Sequence, residues 1–153
     1  MQVKVVQPYT PTSSRDDASV ESYYEDMESA MSRVKTQYTI LMGDSNSKVG
    51  KKQAGDQTMG DNCIGTRIAR MKLPVEFLKR VNLRILNTFY KKRGNRKWTC
   101  RGPNGELKNE IDFLLSAHPG TVQDVESLGR VPCSDHQILR SRIRLDLIRN
   151  DKN

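Results

Sequence analysis

The stretch YTILMGDSNSKVG, Tyr38 to Gly50, opens as an apolar, partly β-branched run and breaks abruptly into Gly, Asp, Ser and Asn. A short apolar run bounded by turn formers reads as a buried strand. The strand therefore ends by presenting a carboxylate and a carboxamide, Asp44 and Asn46, at the rim of a sheet, where a rigid core holds loop residues in place. Two other stretches repeat the pattern. In NEIDFLL, Asp112 lies among apolar residues, where a bare charge would cost several kcal/mol unless it is paired, hydrogen-bonded or beside a metal. In CSDHQIL, Asp135 stands next to His136 just ahead of the last apolar run.

The remaining segments predict the frame around these stretches. Val3 to Val6 form a short strand that Pro8 and Pro11 stop, leaving Tyr9 in the loop that follows. From Asp16, DDASVESYYEDMESAMSRVK places Val20, Tyr23, Tyr24, Met27, Met31 and Val34 at helical spacings, with carboxylates first and Arg33 and Lys35 last. A Gly-rich, charged loop follows Asn46. A weaker helix, Ile68 to Val81, contains Pro74, which either kinks it or marks its start. NLRILNT reads as a strand, and RKWTCR and EIDFLL, flanking the turn in GPNGELKN, read as a hairpin. TVQDVESL and ILRSRIRLDLI are further strands. Strands mixed with two helices in irregular order predict an α/β (α+β) layered sandwich over residues 1–147, with a polar tail at 148–153.

Composition narrows the partner. The chain has 153 residues, 26 Lys and Arg against 18 Asp and Glu, a net charge of +8 and a pI near 9.6, which favours a polyanion. Mean hydropathy is -0.71 and 35% of residues are hydrophobic, polar for a globular domain but short of a disordered tract. The three cysteines, Cys63, Cys100 and Cys133, are odd in number and form no C-x-x-C, so neither a disulfide framework nor a zinc motif is indicated. The N-terminal residues lack a signal-peptide core, and no apolar run reaches the roughly 20 residues of a membrane helix. The expectation is an intracellular protein, nuclear or cytoplasmic, with no membrane partner.

Each candidate group also has an ordinary explanation. Gly43 to Asn46 is a turn sequence, Asp112 can pair with one of many basic residues, and a lone histidine is more often structural than catalytic. A Ser/His/Asp triad lacks the G-x-S-x-G turn that would present its serine. Taken together, three acids, an amide and an imidazole at strand ends suit binding a divalent cation, orienting water and stabilising a phosphoryl transition state.

In this order, and with YTPTSS upstream, MGDSNSKVG, NEIDFLL and CSDHQIL resemble the endonuclease/exonuclease/phosphatase superfamily, and its LINE-type retrotransposon branch of the RTE and BovB kind in particular. RILNTFYKKRGNRKWT and GPNGELKNEIDFLLS are similar to that branch as well, so the resemblance runs over most of residues 3–147. It implies the C-terminal part of a DNase I-like four-layered α/β sandwich and Mg²⁺-dependent hydrolysis of DNA phosphodiesters by in-line attack of water. It assigns Asp44 to the attacking water and Asn46 to a phosphate oxygen or to that aspartate. Asp135 is implied as a metal ligand, His136 as the group facing the scissile phosphate, Asp112 as the acid behind it and Tyr9 as a phosphate contact. The family pattern begins earlier, with an asparagine and the principal metal-binding glutamate, so the resemblance implies that the N-terminal half of the domain is missing from this chain. The expected consequences are weakened Mg²⁺ affinity, little or no activity alone, and uncovered sheet surface prone to self-association.

Departures from the branch are Ser45 where Phe is usual, Cys100 where an aromatic is usual, and a lost N-E-R-G pattern in TRIARMKLP. The basic stretch KKRGNRKW nominates Lys91, Lys92, Arg93, Arg96 and Lys97 as a DNA-backbone surface, with Trp98 either stacking on a base or filling the core. A noncatalytic nucleic-acid or protein-binding remnant and a small-molecule phosphatase are the alternative readings.

Overall fold

The computed structural model describes residues 2–12, 14–65 and 72–145. The elements are β1 (Val3–Val6), α1 (Asp17–Ser32), β2 (Tyr38–Asp44), α2 (Lys72–Arg80), β3 (Arg84–Ile85), β4 (Cys100–Arg101), β5 (Lys108–Asn109), β6 (Asp112–Ser116), β7 (Val122–Arg130) and β8 (Gln137–Ile143). A four-stranded sheet runs β1-β2-β6-β3, with β1 parallel to β2 and the other pairings antiparallel; β4-β5 and β7-β8 form two-stranded ladders. The proposed tail at 148–153 and most of TRIARMKLP lie outside the described residues.

Alternation along the central strands sorts the core into two faces. Leu41 and Phe113 point to one side, where they pack with Val20, Tyr24 and Met27 of α1 and Val75, Phe77 and Leu78 of α2. Their neighbours Ile40 and Leu114 point to the other, against Leu86 and against Val122 and Val125 of β7. Helices, sheet and hairpin thus make three layers among the described residues. Each fully buried large apolar side chain contributes about 1.5–3 kcal/mol to this stacking. The expected layered α/β sandwich is present.

Several local expectations are corrected. The first helix starts as expected, with Asp16 accepting from the Ser19 amide at 2.8 Å, but it stops at Ser32, short of Val34, which is exposed. The Lys4 ammonium donates to the carbonyls of Met31, in the last turn, and of Val34, just beyond it, and so takes up one of the acceptors left open at the helix end. NLRILNT is a strand only at Arg84 and Ile85, and Leu86–Phe89 turn into a 3-10 helix. There the Asn87 side chain replaces the ladder, accepting from the Leu114 amide at 2.9 Å and donating to the Asp112 carbonyl at 3.0 Å.

A hairpin forms, but RKWTCR does not pair with EIDFLL as expected: its partner is Lys108–Asn109, from the stretch read as the turn. Cys100 and Arg101 pair with Asn109 and Lys108 across the turn, while the residues from Asp112 onward pair with β2 and β3. Thr99 makes the switch, since its Oγ1 accepts from the amides of both Ile111 and Asp112 at 3.0 Å. The strand predicted from TVQDVESL runs on to Arg130 and pairs with β8.

Candidate active site

Strand β2 ends where β6 begins, and the residues matched across that point are Asp44 and Asp112. Two like charges placed directly across an antiparallel pair repel each other, which ordinarily costs up to about 1 kcal/mol. His136 lies between them. Its Nδ1 is 2.9 Å from Asp112 Oδ2 and its Nε2 is 3.9 Å from Asp44 Oδ2. With Asp112 ionised, the short contact is an N–H donated by Nδ1, which leaves the Nε2 side of the ring turned toward Asp44. The imidazole is about a third exposed, whereas the Asp44 and Asp112 side chains are 14% and 18% exposed.

Backbone geometry fixes each of the three. The loop after β1 crosses the end of β2 so closely that a Cβ on Gly43 would sit 2.2 Å from the Pro8 carbonyl oxygen, which only glycine permits. That loop is tied down by the Thr10 amide on the Asp44 carbonyl at 3.1 Å and by Asn46 Nδ2 on the Thr10 carbonyl at 2.7 Å. Asn46 adopts φ 48°, a left-handed conformation that asparagine tolerates, and its amide donates to Asp44 Oδ1 at 2.7 Å. The turn thus holds the carboxylate that the strand delivers. On the other side, His136 forms a bridge with Cys100, flanked by Arg101 N to Asp135 O at 2.9 Å and Gln137 N to Thr99 O at 2.7 Å.

Burial dominates the electrostatics of Asp44. Desolvation, reinforced by the charges of Asp112 and Asp135, raises its pKa, against the opposing pull of the Asn46 amide and His136. Cys100 lies in the same negative field: burial first, then Asp135, Asp112 and Asp44, push its thiol pKa up.

Of the residues nominated from the sequence, Asp44, Asn46, Asp112 and His136 converge, and exposed Asp135 adjoins them. Tyr9 is 70% exposed on the loop anchored by Thr10. The basic stretch divides. Lys97 is buried and bonds the Asn87 carbonyl at 2.7 Å and Glu110 at 3.3 Å, and Lys92 pairs with Asp124 at 2.6 Å. Lys91, Arg93 and Arg96 are exposed. Trp98 is a core residue, 5% exposed, with Arg101 and Lys108 5.5 and 5.6 Å from its ring centre. Thr99 and Asn87, which position Asp112 and His136, were not singled out from the sequence as site residues. In sequence each is one polar residue beside apolar neighbours, with no period to mark it.

No protein-family model matches the chain. Craniofacial development protein 2 of Bos taurus is 28% identical over 147 residues, and that of Tragulus javanicus 26%; each match covers 94% of this chain and 25% of the relative. The chain thus spans about a quarter of the length of the curated relatives it matches. Among solved structures, the endonuclease domain of TRAS1, a telomere-specific non-LTR retrotransposon, superposes with a TM-score of 0.58 at 16% identity, over 86% of this chain and 54% of that one. The 3′ phosphatase NExo from Neisseria, bound to a product DNA hairpin, gives 0.64 at 17% identity, over 92% and 61%. An endonuclease/exonuclease/phosphatase family protein from Leptotrichia buccalis gives 0.52 at 16% identity, over 80% and 41%. The chain therefore has the DNase I-like fold of the endonuclease/exonuclease/phosphatase proteins and resembles, across nearly its whole length, a portion of craniofacial development protein 2.

Proposed function

We propose that this chain carries one wall of a DNA phosphodiester-hydrolysing site of the retrotransposon-endonuclease type. The observation that carries the reading is the Asp112–His136–Asp44 line across the ends of β6 and β2. Asp112 holds the Nδ1 proton, so the opposite edge of the ring meets the phosphate and donates a hydrogen bond to it when protonated. Asp44, whose raised pKa makes it a better proton acceptor than an ordinary aspartate, takes the proton of the attacking water. Asn46 keeps that carboxylate aimed through its backbone amide. The solved neighbour bound to a DNA product supports DNA as the polymer recognised, and exposed Lys91, Arg93 and Arg96 supply backbone contacts.

Among the described residues, the Mg²⁺ implied by the resemblance finds few oxygen donors gathered together. Mg²⁺ takes oxygen ligands in near-octahedral geometry. Among the described residues, the group close enough to hold an ion is Cys100, Asp135 and His136, which offers one carboxylate beside a thiol and an imidazole. No step is assigned to Mg²⁺, and hydrolysis by this chain alone is expected to be slow.

Prolonged incubation with supercoiled plasmid and Mg²⁺ tests the reading. Slow nicking that disappears in both Asp44→Asn and His136→Ala is expected. Nicking that survives both substitutions contradicts it. A second reading, noncatalytic nucleic-acid binding, is favoured by the same poor Mg²⁺ donor set, and it predicts a salt-dependent DNA shift without any nicking.

A further inference from the structure

We infer that Cys100, Asp135 and His136 form a binding site for a borderline divalent transition metal of the zinc class, distinct in chemistry from the expected Mg²⁺ centre. The ligand atoms of these three residues lie within 4.8 Å of one another. In a tetrahedral zinc site, bonds of about 2.0–2.3 Å place neighbouring ligand atoms roughly 3.5 Å apart, so the set closes on an ion by about an ångström. Side-chain rotation can supply that movement, because Asp135 is exposed and His136 only partly buried.

Three observations make this more than a chance gathering of polar groups. The ligands sit on two segments clamped to each other: the Cys100–His136 bridge is bracketed by the Arg101 to Asp135 and Gln137 to Thr99 backbone hydrogen bonds. Asp112 already holds Nδ1 of His136, which leaves the Nε2 edge to take the ion and supplies the carboxylate–histidine support typical of metal-bound imidazoles, so a bound ion and a protonated ring facing the phosphate exclude each other. The thiol is also the donor that changes the preference. A thiolate with an imidazole selects zinc-like ions, while magnesium prefers oxygen alone. Three protein ligands leave a fourth position for water. On binding, a metal–sulfur bond forms and the thiol proton passes to solvent.

The site does not depend on the chain hydrolysing phosphodiesters, and its test uses no activity. The full chain is titrated with Co²⁺ under reducing conditions while thiolate-to-cobalt absorption in the near ultraviolet is followed. The expected result is a saturable band in the wild type that persists in Cys63→Ser and Cys133→Ser, disappears in Cys100→Ser, and resists excess Mg²⁺. Asp112→Asn should weaken Co²⁺ binding about 10- to 100-fold by removing the negative charge behind the imidazole. Circular dichroism of Cys100→Ser shows whether the loss is of the ligand or of the fold; loss of the band with the fold lost overturns the assignment unless Cys100→Ala, folded, also lacks it. A band that survives in Cys100→Ser, follows Cys133, or never forms in the wild type overturns the proposal.

Discussion

Asp44 is a single residue held in an unfavourable place. It faces another carboxylate in register, it is largely buried, and its pKa is raised chiefly by that burial. A carboxylate with a raised folded pKa holds its proton longer than in the unfolded chain. Its contribution to stability is therefore intact below the unfolded value and is lost as pH rises through the folded one. Asp44→Asn keeps an oxygen for the Asn46 amide and removes the charge, so it should stabilise the protein at neutral pH by a few tenths to about 1 kcal/mol. The gain should fade as the pH is lowered through the acid range. Thermal melts of both proteins across that range check it, and a variant less stable at neutral pH would contradict it.

At the scale of elements, the site depends on two buried polar side chains that substitute for missing ladder bonds. Thr99 accepts two amides of the β6 lead-in and passes its own carbonyl to Gln137, so it joins the Asp112 strand to the His136 segment. Thr99→Val preserves shape but strands two amide donors, and should cost about 1–3 kcal/mol. Thr99→Ser should retain most of the stability, and denaturant titration of the two variants separates the missing acceptor from altered packing. The same elements show what could be read in advance. The apolar runs of β2, β6 and β7 and the α1 periodicity were legible, because burial on alternating faces leaves a pattern in the residues themselves. Asp44 and Asp112 were legible because a carboxylate at or within an apolar run stands out, and Asn46 and His136 because each lies within two residues of a carboxylate. The roles of Asn87, Thr99 and Lys97 were not. A polar residue that completes another strand's hydrogen bonds has no local period, and a lysine neutralising buried Glu110 looks in sequence like one more basic residue of the loop.

Across the whole molecule, helices and the β7-β8 hairpin press on opposite faces of one sheet, and the acids and the partly exposed imidazole meet where β2 ends and β6 begins. The chain's net charge of +8 opposes that acidic spot, and the exposed part of the basic loop gives the charge a location. Replacing Lys91, Arg93 and Arg96 together with glutamine should weaken DNA binding and flatten its salt dependence by about one unit of slope for each phosphate no longer neutralised. Fluorescence anisotropy at several salt concentrations measures this, and an unchanged slope would remove the loop from the binding surface. No helix among the described residues is long and apolar enough to cross a membrane.

The claim on which the functional reading turns is that His136, held by Asp112, meets the DNA phosphate. The chain has two histidines, and the other, His118, lies edge-on against Tyr38, 5.4 Å between ring centres. Nitrogen-15 NMR of the imidazoles can therefore follow each ring while a short duplex is added. The account predicts that His136 carries its proton on Nδ1, and that its Nε2 resonance moves in step with DNA binding while His118 stays still. A His136 resonance that does not move while anisotropy shows DNA bound would contradict it.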